Sequence, residues 1–247
     1  MEKLLGLLKF IGFAVICIPL SSIIHELGHV VCGLLHKWKL ALLSVGPLKL
    51  YRDEPDSKLR AGLEKNLLLW FGRGGTFPPD DSERSVKIWG RILLAGPLTS
   101  IAAGVLLLAL TIAVCPRSLF LILLAGISVS MGICCLLPIP QLRTGFLYND
   151  GTRYKRLRSG NASGSEERAL FMLTAREIRK LPVSETPAEI LKPLLGSKEP
   201  EMNYYGYYYS YLIARENKNE AEMAVQRRNM ESIRDKVMKT VVDACKV

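Results

Sequence analysis

Apolar positions along the chain are gathered into long blocks and do not alternate with charges. Leu4 to Ile24 is almost wholly apolar, with Lys9 the one charge inside it, and the apolar character continues past a short polar cluster to Leu35. Ile92 to Val114 and Leu119 to Leu137 are two further blocks without a single charge. A spanning helix needs roughly 20 consecutive apolar residues, so the pattern predicts spans at about 4–35, 92–114 and 119–137. A cleaved leader is the rival reading of the first block. No small-residue cleavage site precedes the polar cluster, so a retained span is expected.

Between the first two spans the pattern shortens. Lys39 to Arg52 is apolar but broken by Gly46-Pro47, and Leu67 to Phe71 is a second short run followed by glycines. Both are too short to span and read as extended segments that can pair as a hairpin, with a polar loop over Asp53–Glu64. Pro78-Pro79-Asp80-Asp81-Ser82 is a helix-entry signal. The third block ends at Leu137-Pro138-Ile139-Pro140, where two prolines stop the helix. From Ser165 the pattern is helical and polar. Helices are expected over 165–173, 203–216 and 218–245, the last two joined at Asn217 as a tetratricopeptide-like hairpin. Its tyrosines read first as a packed helix face with wet hydroxyls. The expected fold is mainly α: a polytopic membrane protein with a three-helix core over 1–157, a short β-hairpin-like segment, and a small helical domain over 165–247.

Charge refines this picture. The chain has 247 residues and a formal net charge of +10. Ten Lys and Arg lie between His36 and Gly90, and five more between Arg143 and Arg158, whereas the opposite ends of the spans hold only Lys3, Lys9 and Arg117. The positive-inside rule therefore puts the 36–90 loop and the C-terminus in the cytosol. Topology accounts for the basic balance, so no nucleic-acid partner is required. Five of six cysteines lie in or beside apolar blocks without Cys-x-x-Cys spacing and read as small buried hydrophobes.

The candidate chemistry sits inside the first block, at His25-Glu26-Leu27-Gly28-His29. On a helix, residues i and i+4 share a face, so both imidazoles can bind one ion. Zinc lowers the pKa of its water to about 7, and Glu26 can take that proton and pass it to a leaving amine. A chance polar face is the bland alternative. It is weakened by location, because two His and a Glu within an apolar span are costly unless they bind or pair. His36, beside Lys37 and Trp38, fits an interfacial residue better than a ligand. A catalytic zinc needs a third ligand. Asp150 in Tyr148-Asn149-Asp150-Gly151 is the candidate, since it follows the proline break and Gly151 permits a fold-back turn. On spacing alone an ordinary Asp-Gly surface turn explains it equally well.

These residues resemble the site-2 protease family of intramembrane zinc metalloproteases. The resemblance rests on His25-Glu26-Leu27-Gly28-His29, on Ala95-Gly96-Pro97-Leu98, on Leu136-Leu137-Pro138-Ile139-Pro140 with Asp150-Gly151, and on Ser44-Val45-Gly46-Pro47, and it covers residues 1–157. It implies Zn²⁺ held by His25, His29 and Asp150, with Glu26 as catalytic base. The implied substrates are membrane-tethered proteins cut within the bilayer, and the implied location is a bacterial cell membrane. Residues 165–247 would dock a cytosolic partner or substrate tail. Cys135 and Ser100 stand where the family usually has Asn, and Pro138 to Asp150 is a longer step than usual. Two other readings stay open. One is a non-catalytic membrane scaffold of the same fold acting through residues 165–247. The other is a prenyl-protein-processing type of zinc protease, which would use a downstream Glu such as Glu166 or Glu167 as third ligand.

Overall fold

The computed structural model describes residues 2–65, 70, 72–139 and 148–245. The chain divides into two compact units, residues 1–77 with 88–137, and residues 78–87 with 138–247.

The first unit is built on α1 (Glu2–Leu35), α2 (Glu83–Val114, from Ile88 onward) and α3 (Leu119–Leu136). Among the described residues these are three helices long and apolar enough to cross a membrane. At 1.5 Å per residue α3 measures about 27 Å, close to the roughly 30 Å of a hydrocarbon core. The lipid-type surface is on the outside, with Leu5, Leu8, Val105, Leu106 and Ile112 all exposed. Small and hydroxylated side chains face inward. Ser21 and Ser128, both fully buried, share a hydrogen bond of 2.9 Å between α1 and α3. A Cβ at Gly132 would stand 2.6 Å from Pro97 O, so α2 and α3 touch at backbone distance there. Close approach through small residues, with hydroxyls as local glue, is how apolar helices associate without a hydrophobic driving force between them.

α1 ends in a left-handed cap. Lys37 takes the left-handed conformation at φ 65°, and the Trp38 N–H returns to Gly33 O at 3.0 Å. The chain then enters a four-stranded antiparallel sheet of order β3-β2-β1-β4, with β1 (Lys39–Val45), β2 (Leu48–Tyr51), β3 (Arg60–Leu63) and β4 (Arg73–Phe77).

This sheet departs from the expected hairpin in two ways. The 39–52 run folds on itself at Gly46-Pro47, pairing Leu43 with Leu50 and Val45 with Leu48, because Gly46 supplies the positive φ of 59° that a tight turn needs. The segment expected as loop over 53–64 instead ends in β3, which pairs Leu48 with Leu63 and Tyr51 with Arg60. The other partner of β1 is the glycine-rich β4, with a register shift between Leu40 and Leu42. Leu67–Leu69 and Phe71 of the second apolar run lie outside the described residues.

The second unit is helical: α4 (Asp150–Arg158), α5 (Ala162–Ile178), α6 (Ala188–Leu195), α7 (Pro200–Glu216), α8 (Glu220–Ile233) and α9 (Lys239–Ala244). Residues 78–87 belong to it through Arg176–Asp81 at 2.9 Å and Arg168–Glu83 at 2.6 Å. Its core is Leu170, Leu173, Leu194, Met202, Tyr208, Tyr209 and their neighbours. The tyrosines of α7 are a packed face. Tyr209 is buried, and its hydroxyl donates to Glu177 Oε2 at 2.8 Å. The expected last helix, 218–245, breaks at Ile233. A 3-10 turn over Arg234–Lys236 redirects the chain so that Val241 and Cys245 fold back onto the core.

A second cluster ties α4 to its neighbours. Arg156, buried, meets Glu199 at 2.7 Å, Glu166 at 2.8 Å and Glu167 at 3.3 Å, and lies 4.6 Å from the Tyr148 ring centre. Burial works against its charge. The hydrogen bond and charge of Glu199, with Glu167 behind, outweigh burial and hold Arg156 above its ordinary pKa.

Candidate metal centre

His25, Glu26 and His29 lie in the last third of α1, where the helix turns its ionisable face toward α2 and β4. His25 and His29 are buried. Their rings stand edge to face at 80°, with Nε2 of one 3.2 Å from Nε2 of the other. Two nitrogens held at about 2.05 Å from one tetrahedral ion lie ~3.3 Å apart. The pair is therefore spaced as two ligands of a single cation would be.

The far ring nitrogens are held by α2. His29 Nδ1 lies 2.7 Å from Ile92 O, and since a carbonyl only accepts, Nδ1 is the donor there; in the neutral ring Nε2 is then the nitrogen that can ligate. His25 Nδ1 lies 3.1 Å from the Ser100 hydroxyl, and Ser100 is fully buried. Gly96 lies between these partners. A Cβ there would stand 2.7 Å from His29 Cδ2 and nearer still to Nε2, so the imidazole occupies the space a side chain would fill. Gly28, inside the motif, is needed for a related reason: its Cβ would meet Ala95 O and Thr99 Oγ1, both at 2.7 Å. The donor chemistry, the convergent Nε2 atoms and this cradle all fit a bound cation.

Glu26, half-buried, lies one residue round the helix from His25 and runs beside β4. Gly72 (φ 106°) and Gly74 make room for it. A Cβ on Gly74 would stand 2.8 Å from both Glu26 Oε2 and Glu26 O, and one on Gly72 would be 3.2 Å from Glu26 Oε1. Arg73, between these glycines, has its pKa lowered by burial, while the charges of Glu64 and Glu26 pull it back up. Glu26 therefore has a cation within electrostatic reach in a half-buried setting. Sequence reading missed this neighbourhood. Its one signal was the cluster of glycines at 72, 74 and 75, a composition that argues against a strand.

No family model, curated protein or solved structure matches the chain.

His36 has partners of its own. Its Nδ1 lies 2.9 Å from Cys32 O, and its Nε2 accepts from Arg91 at 3.2 Å, so both ring nitrogens are engaged. Asp150 is carried by the second unit as the first residue of α4. The expected Asp150-Gly151 turn is not formed. Asn149 is the N-cap, its side chain accepting from the Thr152 N–H at 3.1 Å, so Asp150 and Gly151 start a helix. This puts the Asp150 carboxylate in the first turn of α4. Glu166 and Glu167, the third-ligand candidates of the prenyl-protease reading, are both buried on Arg156 and Arg153.

Proposed function

We propose that this chain is a zinc-dependent intramembrane endopeptidase of the site-2 protease type, with His25, His29 and Asp150 as metal ligands and Glu26 as general base. The observation that carries the reading is the buried His25–His29 pair, its Nε2 atoms 3.2 Å apart and its Nδ1 atoms turned outward onto α2. Two imidazoles inside an apolar helix need a shared purpose to offset their desolvation, and a divalent cation supplies one. Asp150 completes a two-imidazole, one-carboxylate donor set, which leaves a position open for water or substrate. Among the described residues, the downstream glutamates of the rival protease reading are committed to arginines.

When bound, such a cation polarises a water molecule and the scissile carbonyl. The chain's own residues do the rest. Glu26 takes the proton from water as it attacks, and returns it to the departing amine nitrogen. The Ile92 carbonyl and the Ser100 hydroxyl keep the imidazoles oriented. The surrounding apolar helices limit bulk water, which strengthens every charge interaction at the site. In this reading the substrate is a membrane-tethered protein, the three apolar helices span a bacterial cell membrane, and the 36–90 loop and C-terminal helices face the cytosol. The 165–247 helices would dock a substrate tail or cytosolic partner.

The test uses the full chain in detergent micelles with a fluorescently labelled single-span peptide. Wild type is expected to carry one zinc per chain, and His25→Ala and Asp150→Ala to lose it. Glu26→Gln should keep its zinc and lose cleavage by about 10²–10⁴-fold. Cleavage by Glu26→Gln at the wild-type rate would overturn the mechanism. A membrane scaffold without catalysis would show no Glu26-dependent cleavage and a phenotype only from deletion of residues 165–247.

A further inference from the structure

One face of α2 deals with both imidazoles. Ile92, Gly96 and Ser100 follow one another at four-residue spacing, so they form a single line along the helix. Ile92 offers a carbonyl to His29, Gly96 offers space to the His29 ring, and Ser100 offers a hydroxyl to His25. His29 lies against the earlier turns of α2 and His25 against the later ones.

The two partners differ in kind. The Ile92 carbonyl can only accept, which fixes the proton on His29 Nδ1. The Ser100 hydroxyl both donates and accepts. For His25 to ligate through Nε2, its Nδ1 must carry the proton, and that proton needs an acceptor where the ring is buried against α2. Ser100 is fully buried, and its Oγ, 3.1 Å away, is placed to be that acceptor. Resting on the metal-centre reading above, we propose that Ser100 is a positioning residue: its hydroxyl accepts from His25 Nδ1–H, selects the Nδ1–H tautomer and aims Nε2 at the cation. Ring partners of this kind raise ligand basicity and fix orientation, and losing one typically costs about 10–100-fold in metal affinity.

A serine in an apolar helix has a competing explanation as helix–helix glue, the role Ser21 and Ser128 play between α1 and α3. Such a serine would contribute to packing and leave metal affinity alone. The two roles are separable, because only the positioning role ties the hydroxyl to the state of one imidazole.

The experiment compares full-length wild type, Ser100→Ala and Ser100→Thr in micelles. Zn²⁺ affinity is measured by competition with a chromophoric chelator, and ¹⁵N imidazole spectra are recorded on the zinc-loaded proteins. The chain has only three histidines, which makes assignment by single substitution direct. Ser100→Ala should bind zinc about 10–100-fold more weakly, Ser100→Thr should stay close to wild type, and the His25 Nδ1–H resonance should move in the Ala variant while that of His29 does not. Equal zinc affinity in wild type and Ser100→Ala would overturn the role of Ser100 while leaving the centre intact. Equal weakening in the Ala and Thr variants would also overturn it, since the hydroxyl would not be what matters. If wild type takes up no zinc, the centre itself fails.

Discussion

Replacing Gly96 with alanine puts one methyl group where His29 now lies. A Cβ at that position would be 2.7 Å from His29 Cδ2 and nearer to Nε2, against the ~3.5–4 Å at which carbon atoms normally rest. About 1 Å must be found. α2 cannot easily supply it by sliding, because Gly28, the residue before His29, already holds α1 against Ala95 O and Thr99. The imidazole is the part that can yield. A ring displaced by about 1 Å takes Nε2 well outside the ~0.2 Å tolerance of a metal–ligand distance. Overpacking of this sort costs about 1–3 kcal/mol, which, if it falls on the bound state, is roughly a 5–150-fold loss of zinc affinity. Chelator competition on the micellar protein reads that loss, and thermal unfolding reads the stability. Two controls separate the site from general strain. Gly104→Ala would crowd Val129 and Ala125 O between α2 and α3, away from the imidazoles, and should lower the melting temperature while zinc affinity holds. Gly12→Ala, with nothing within 4 Å, should do neither. If Gly96→Ala bound zinc as tightly as wild type, the claim that the missing side chain is what seats His29 would be wrong.

Two further outcomes concern the second unit. Arg156→Ala leaves Glu166 and Glu167 buried with one counter-charge fewer and should cost about 3–5 kcal/mol, read by chemical denaturation of the full chain; a loss under ~1 kcal/mol would show that water enters the cluster. The unit should also be weakened by alkali. Burial pushes Cys245 up to about 12 and, with the Glu177 charge, Tyr208 to about 12. A folded-state pKa above the unfolded one gives stability that is complete below about pH 9 and is lost as pH rises toward 12. Circular dichroism melts at pH 8, 10 and 11.5 should show a falling midpoint, and a flat profile would contradict the burial of these groups.

Much of this architecture can be read from the chain alone, and the exceptions have physical causes. The three apolar helices follow from length and the absence of charge, and the shared face of His25 and His29 follows from helical spacing. β3 was hidden because Arg60-Ala61-Gly62-Leu63 has no strand pattern of its own; it is held by pairing to β2. β4 was hidden because glycines disfavour strands, yet those same glycines admit Glu26 beside the sheet. Asp150-Gly151 looks like a turn until Asn149 is seen as a cap, and a dipeptide cannot announce which of its neighbours will cap it. The partners of the imidazoles depend on the register between α1 and α2, which no local pattern encodes. A serine among leucines marks a polar need without naming what it serves.

The Ile92 partner of His29 belongs to the main chain, so every amino acid at position 92 that keeps α2 helical still presents that oxygen. Natural variation can swap the side chain at position 100 but cannot delete the carbonyl at 92. Drift in this centre would therefore be lopsided, with one imidazole shielded from mutation at its partner and the other free to be retuned by a single codon.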